Sequence, residues 1–257
     1  MLSMERREKL KKVFLEQKSV TVEEMAKMFN VSTETIRRDF NSLSDEGFIT
    51  KTYGGATLRY RANSLVSRQE KAGILVENKR LMAKQAAKFV QPNDCIFMDH
   101  SSTVYEMCNE IENIPLTVIT NSLFVINRLA GISTIKLITP GGNFVMNEQG
   151  FFGLEAARYL QRHHMDKAFI SCRSIDMKRG LNDSDEIVSE TRRSVISSAD
   201  STYLLVDHTK FGKSAFISTT DFSSINYMIT DKPIDKEWRE FLKEEHVKIY
   251  ECMNNKN

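Results

Sequence analysis

Cysteine is scarce and scattered. The four in 257 residues, Cys95, Cys108, Cys172 and Cys252, give no pair at metal-ligand spacing and no compact set of bridges. That excludes a disulfide-stapled miniature fold and a zinc module, and it fits buried, reduced thiols in a cytoplasmic protein. Long apolar runs are also missing. Nothing in the chain approaches the roughly 20 apolar residues of a membrane span. The first ten residues are charged and hold no apolar stretch, so no signal peptide is expected. Net charge is almost absent at +2, which leaves no general basic field to hold nucleic acid. There is no P-loop and no Ser-His-Asp arrangement, so neither a cofactor nor catalytic residues are expected. His163-His164 is no metal site either, because adjacent side chains on a helix diverge by about 100°. A structural or surface role is expected there.

What the chain does have is an uneven layout. Its apolar share of 41% allows a real core. The length suits a small domain joined to a medium one. Residues 1–60 hold eleven Lys/Arg against nine Asp/Glu, whereas residues 61–257 hold 25 of each. The whole positive excess therefore sits at the N-terminal end, and nucleic-acid binding has to rest on individually placed basic residues.

Those residues fall in a recognisable order. Glu5 to Gln17 has a helical pattern with Leu10, Val13 and Phe14 inward. Lys18-Ser19-Val20 breaks it, and Thr21-Val22-Glu23-Glu24 is a capping box. The helix it opens should bury Met25, Ala26, Met28 and Phe29. Asn30 fits a left-handed helix stop, and Ser32 caps the next helix. That helix, Thr33 to Asp45, has Ile36, Phe40 and Leu43 on one face and Thr33, Thr35, Arg37, Arg38 and Asn41 elsewhere. Two short helices joined by a tight turn form a helix-turn-helix whose second helix reads DNA. Arginine matches guanine O6 and N7, hydroxyls are versatile partners, and the same groups also contact phosphates. Gly47 ends the helix. Phe48 to Tyr53 is a strand-like run, and Gly54-Gly55 allows a reversal, giving a small wing with Lys51 and Tyr53 near the phosphates. The expected DNA-binding set is Ser32, Thr33, Thr35, Arg37, Arg38, Lys51 and Tyr53.

The run Ser32 to Phe40, with Gly47 and Tyr53-Gly54-Gly55-Ala56, closely resembles the winged helix of the DeoR family of bacterial sugar-metabolism regulators. That family commonly has histidine where Tyr53 stands.

Residues 59–74 look like a linker between a head at 1–58 and a second domain at 75–257. From there a helix running to Val90 precedes short apolar strands that alternate with helices. The strands are Cys95–Met98, Leu116–Ile119, Ile135–Ile138, Ala168–Ile170, Tyr203–Val206, Tyr227–Ile229 and Val247–Tyr250. The helices are Ser102 to Ile111, Leu123 to Leu129, Leu154 to Leu160 and Glu186 to Ser198. This pattern predicts an α/β domain around a mostly parallel sheet. Trp238 should anchor the last helix, and Arg192-Arg193 should lie on a solvated helix face.

Ligands of such sheets bind beyond the carboxyl ends of the strands. Those ends carry Asp99 with Ser101-Ser102-Thr103, Thr120-Asn121-Ser122, Gly141-Gly142, and Asp207 with Lys210. Each cluster has an ordinary explanation as a cap or turn, but four at successive strand ends suit a phosphate with polyol hydroxyls. Amides and Lys210 would take the phosphate; Asp99 and Asn121 would take hydroxyls. The same residues, with Phe211-Gly212 and Ile229-Thr230-Asp231, fall in the order of the DeoR sensor domain. Two stretches depart from it: His100 replaces a small residue, and Ser171-Cys172-Arg173-Ser174 replaces a glycine-containing turn. The resemblance implies a fold related to phosphosugar isomerases and CoA transferases. It further implies a phosphorylated sugar effector and a regulator, most often a repressor, acting on operator DNA. Paired half-sites imply a homo-oligomer, dimer or tetramer. Two other readings stay open: an isomerase-like enzyme using Asp99, Asp207 and Lys210 for acid–base chemistry, and a constitutive DNA binder whose second domain only oligomerises.

Overall fold

The computed structural model describes residues 2–17, 19–46, 48–58 and 72–252. Gly47 and residues 59–71 of the expected linker lie outside the described residues. The contacts divide the chain into two compact units, one built on residues up to 58 and the other on residues from 76 onward.

The first unit contains α1 (Ser3–Gln17), β1 (Ser19–Thr21), α2 (Val22–Phe29), α3 (Thr33–Asp45), β2 (Ile49–Thr52) and β3 (Gly55–Leu58). Its helix boundaries are set by local chemistry. Thr21 Oγ1 accepts from Glu24 N at 3.2 Å, and Glu24 accepts from Thr21 N at 2.9 Å, which closes the capping box. Asn30 stops α2 in the left-handed conformation at φ 52°. Ser32 caps α3 by accepting from Thr35 N. Leu10 and Phe14 of α1 meet Met25, Ile36, Phe40 and Leu43 in one buried cluster. Met28, expected inside, is 54% exposed, because the eight-residue α2 turns it away from that cluster. The wing has three strands rather than two, in antiparallel order β1-β3-β2. Gly55 is fixed by this pairing: a Cβ there would stand 2.4 Å from the Val20 carbonyl oxygen.

Strand β1 occupies the segment expected only to break α1. The first helix is tied to α3 by a buried pair, in which Arg6 Nε and Nη2 donate to the two Asp39 oxygens at 2.5 and 3.2 Å.

The second unit is built on a seven-stranded sheet, and every neighbouring pair is parallel. Its members are β4 (Cys95–Met98), β5 (Leu116–Thr120), β6 (Ile135–Ile138), β9 (Met165–Ile170), β12 (Ala199–Leu205), β14 (Tyr227–Thr230) and β15 (Lys248–Glu251). The spatial order is β15-β14-β12-β9-β4-β5-β6. Alternate residues of each strand enter opposite cores. Ile96, Met98, Phe169 and Tyr203 face α4 (Val76–Ala87), α5 (Ser102–Tyr105), α6 (Cys108–Ile111) and α7 (Leu123–Leu129). Phe97, Ala168, Ile170 and Leu204 face α8 (Leu154–Gln161), α9 (Glu186–Ile196) and α10 (Lys236–Glu244). Burial on both faces is why these strands read as unbroken apolar runs. Trp238 of α10 packs edge-on against Phe211 and Phe222, as an anchor should.

Three features differ from the expectation. The helix over Ser102–Ile111 is two short pieces, α5 and α6. A hairpin, β7 (Asn143–Val145) with β8 (Gly150–Phe152), follows β6. A small antiparallel sheet joins β10 (Ser174–Asp176), β11 (Gly180–Asp183) and β13 (Ile217–Thr220). Among the described residues no helix is long and apolar enough to cross a membrane.

Candidate DNA-reading face and effector pocket

On α3 the buried stripe Ile36, Asp39, Phe40 and Leu43 leaves Thr33, Glu34, Arg37, Arg38 and Asn41 exposed. Arg37 and Arg38 are 64% and 79% exposed, and their ion pairs among the described residues are to Glu34, at 4.0 and 3.6 Å. Exposed pairs of this kind contribute little, so both guanidinium groups are free to swing to phosphates or base edges. Ser32 and Thr35 are occupied in the cap, with their hydroxyls 2.9 Å apart. Lys51 of β2 donates to Asn41 Oδ1 at 2.9 Å, which sets the wing beside the reading helix. Tyr53 stands fully exposed at the wing tip.

In the second unit the chain runs outward from β4 to β5 and β6, then returns to β9 on the other side of β4. The reversal between β4 and β9 is the switch point where parallel sheets receive ligands. Asp99 sits there, buried. Its Oδ1 accepts from Ser101 N and its Oδ2 from Ser171 N, each at 2.8 Å, and Arg192 Nη2 lies 3.5 Å away. Ser101 caps α5 through Val104 N, with Ser102 and Thr103 buried behind it. Thr120 donates to Met98 O at 2.7 Å and accepts from Ser122 N at 3.1 Å. Ser122 in turn caps α7. Asn121 donates to Phe151 O at 3.3 Å, and its Oδ1 has no partner among the described residues.

The β7–β8 hairpin folds back over the end of β5: Phe151 N donates to Asn121 O at 2.8 Å and Leu123 N to Gln149 O at 3.0 Å. Gly142, at φ 106°, permits this return, since a Cβ would lie 2.6 Å from Phe152 O; Gly141 at φ 69° precedes it with open space. His100 at the end of β4 lies 3.3 Å from Glu148 of the hairpin turn.

Asp207 caps a 3-10 turn, His208–Lys210, accepting from Thr209 N at 2.9 Å. Lys210 Nζ donates to Cys172 O, reaching from the end of β12 to the end of β9. Burial pushes the Cys172 thiol up, while Lys210 and Arg192 pull the other way. The expected clusters therefore share one edge of the sheet, and contacts link them in neighbouring pairs. A cavity lined by Arg193, Asp200, Thr202, Ser223 and Asn226 opens on the opposite edge, at the start of β12 and β14.

Two features of the site go beyond the sequence reading, which put Arg192 on a solvated face and gave Asp231 only a place in the family's order of motifs. Arg192 is not on a solvated face. It is 5% exposed and donates to Asp183, whose Oδ2 also accepts from Thr219 Oγ1 at 2.8 Å. The spacing Val188, Arg192, Val195 carried that signal, since four and three place it on the buried stripe of α9. The second is Asp231 at the end of β14, which accepts from His208 N, His208 Nδ1 and Asn78 Nδ2, all at 2.7 Å. It thereby holds the Lys210 turn against α4. His163 and His164 are ordinary structural groups, bonded to Tyr159 O and Asp200.

Burial raises the Asp231 carboxyl, but the His208 bonds outweigh burial and hold it below its ordinary value. Stability from this group is present above the ordinary carboxylate range and lost as pH falls through the lowered value. Asp231→Asn is therefore expected to lower the urea midpoint at neutral pH, with the difference closing in acid. A constant difference across pH would show that the charge is not what matters.

Comparison with known proteins decides the family. The model of the DeoR-like helix-turn-helix domain matches residues 6–61, and that of the DeoR C-terminal sensor domain matches residues 75–232. The chain belongs to the DeoR family. A DeoR relative, the L-fucose operon activator of Haemophilus influenzae, is 31% identical over 90% of this chain and 93% of its own. The lactose phosphotransferase system repressor of Staphylococcus epidermidis is 32% identical over 88% of this chain and 91% of its own. Among solved structures, ribose 5-phosphate isomerase A of Methanocaldococcus jannaschii covers 53% of this chain and 54% of its own, at 19% identity and a TM-score of 0.40.

Proposed function

We propose that this DeoR-family regulator represses a carbohydrate operon, binding operator DNA as a homo-oligomer and releasing it when a phosphorylated sugar occupies the second unit. The observation that carries this reading is the division of labour within one chain. One unit presents a capped helix whose Arg37 and Arg38 are exposed and uncommitted. The other gathers buried polar residues and Lys210 along the ligand-receiving edge of a parallel sheet. The relatives' names add operon control of both signs, activator and repressor.

In this reading Ser32 and Thr35 set the start of the reading helix. Thr33, Arg37 and Arg38 contact DNA, with Lys51 and Tyr53 adding wing contacts. Lys210 takes the phosphate. Asp99 shapes the pocket from behind, because two amides and a guanidinium already occupy its carboxylate.

The test is binding of the purified chain to its own upstream DNA, titrated with sugar phosphates at fixed salt. Release by one compound is expected; indifference to every compound, or turnover of any, would sink the reading. Arg37→Ala is expected to weaken operator binding by about 1–3 kcal/mol, with effector affinity intact. Unchanged DNA affinity would remove Arg37 from the interface.

A further inference from the structure

Glu34, the second residue of α3, holds the centre of that helix's exposed face. The buried stripe Ile36, Asp39, Phe40 and Leu43 fixes which way the helix faces. At about 100° per residue Glu34 stands nearly opposite the middle of that stripe, with Arg38 and Asn41 about 30° to either side and Arg37 about 70° away. The arginines flank the carboxylate, at 4.0 Å for Arg37 and 3.6 Å for Arg38. An acid in a first turn suits the helix dipole, and pairs at this spacing are ordinary. A carboxylate in the middle of a surface that approaches polyanionic DNA is not, because it costs affinity unless it meets a donor.

The neighbouring side chains leave acceptance to Glu34. Ser32 and Thr35 bond one another in the cap, and Asn41 Oδ1 accepts from Lys51. Thr33 is turned about 110° from the middle of the exposed face. Arginine has no acceptor. We propose that Glu34 is a specificity-determining residue of the reading helix, accepting from the N4 amine of a cytosine in the operator's major groove, an inference that rests on the DNA-binding reading above. A recognition helix presents its N-terminal residues to base edges, and Glu34 is among the first of these. In that groove cytosine N4 and adenine N6 are the donors, and adenine sets an acceptor, N7, beside its amine. A carboxylate, which only accepts, is repelled by that N7 and by the acceptors of guanine and thymine. Cytosine presents a donor alone. An arginine alongside suits the guanine of the same or the next pair.

The experiment measures fluorescence anisotropy of the full-length chain on its own upstream DNA, with each base pair of the protected region replaced in turn at fixed salt. In the wild type at least one C·G pair is expected at which every replacement costs about tenfold or more. Glu34→Ala is expected to cut that cost to within about twofold while the penalties at other positions stay. It should also bind unrelated DNA more tightly, since a negative charge has left the surface. Glu34→Gln, which keeps the shape and removes the charge, is expected to move the preference at that pair towards A·T, because an amide can both donate and accept. A Glu34→Ala chain with wild-type penalties at every position overturns the proposal. A uniform loss on all sequences does so too, and makes Glu34 a support for the helix or its arginines. Where alanine lowers the melting of this unit, the glutamine variant decides, and an unchanged base preference there overturns the proposal. A wild-type chain without any base preference in its upstream DNA removes the DNA-binding reading along with this one.

Discussion

Asp39→Ala is expected to abolish operator binding although Asp39 faces away from the reading surface. Its carboxylate receives both Arg6 Nε and Nη2, and both side chains are buried between α1 and α3. Removing one member leaves the other charge buried, a change that typically costs about 3–5 kcal/mol. A unit of this size melts roughly 4–8 °C lower per kcal/mol, so its transition should fall by about 12 °C or more. Calorimetry of the full chain should show the low-temperature transition moving while that of the second unit stays. Arg6→Met with Asp39→Leu, which removes both charges and keeps volume, should recover much of the loss. A single variant that melts like the wild type would show that the pair contributes nothing and that α3 is held by its apolar stripe alone.

Lys210→Ala should give the opposite phenotype: operator affinity within about twofold of the wild type, with a response to sugar phosphate shifted at least tenfold to higher concentration. A hydrogen bond to a charged partner contributes about 1.5–3 kcal/mol, and 1.4 kcal/mol is about a factor of ten. The native contact to Cys172 O is lost as well, so a stability measurement accompanies the titration. A response at the same concentration would place Lys210 outside the pocket.

The sequence reading did best where information is local. Thr21 with Glu24, Asn30 and Ser32 fix helix ends within a few residues, and those boundaries stand as expected. The seven parallel strands were legible because burial on both faces leaves no polar alternation to blur them. What stayed hidden is held by distant partners. The three-residue β1 exists only because β3 pairs with it 36 positions on, at Val20 and Ala56. The β7–β8 hairpin is short, with three residues to a strand, and it gains its place from bonds to Asn121 and Leu123. Arg192 looked like one member of a surface charge pair. The helical spacing with Val188 and Val195 marks it as buried, but its partner Asp99, 93 positions earlier, is beyond any local pattern.

The position of β4 has a consequence for how the molecule is made. It is the first strand of the seven-stranded sheet off the ribosome, yet it lies between β5 and β9, and its contact with β9 joins residues 71 apart, as from Cys95 to Asp166. Contacts that must close long loops form late, because their entropy is spent before any pairing offsets it. The N-terminal unit draws on no residue beyond Leu75 and can form while β9 is still being synthesised. A nascent chain stalled between β6 and β9 should already carry a finished reading helix while its sensor sheet lacks its centre. Such a chain would meet DNA without any means of being told to let go.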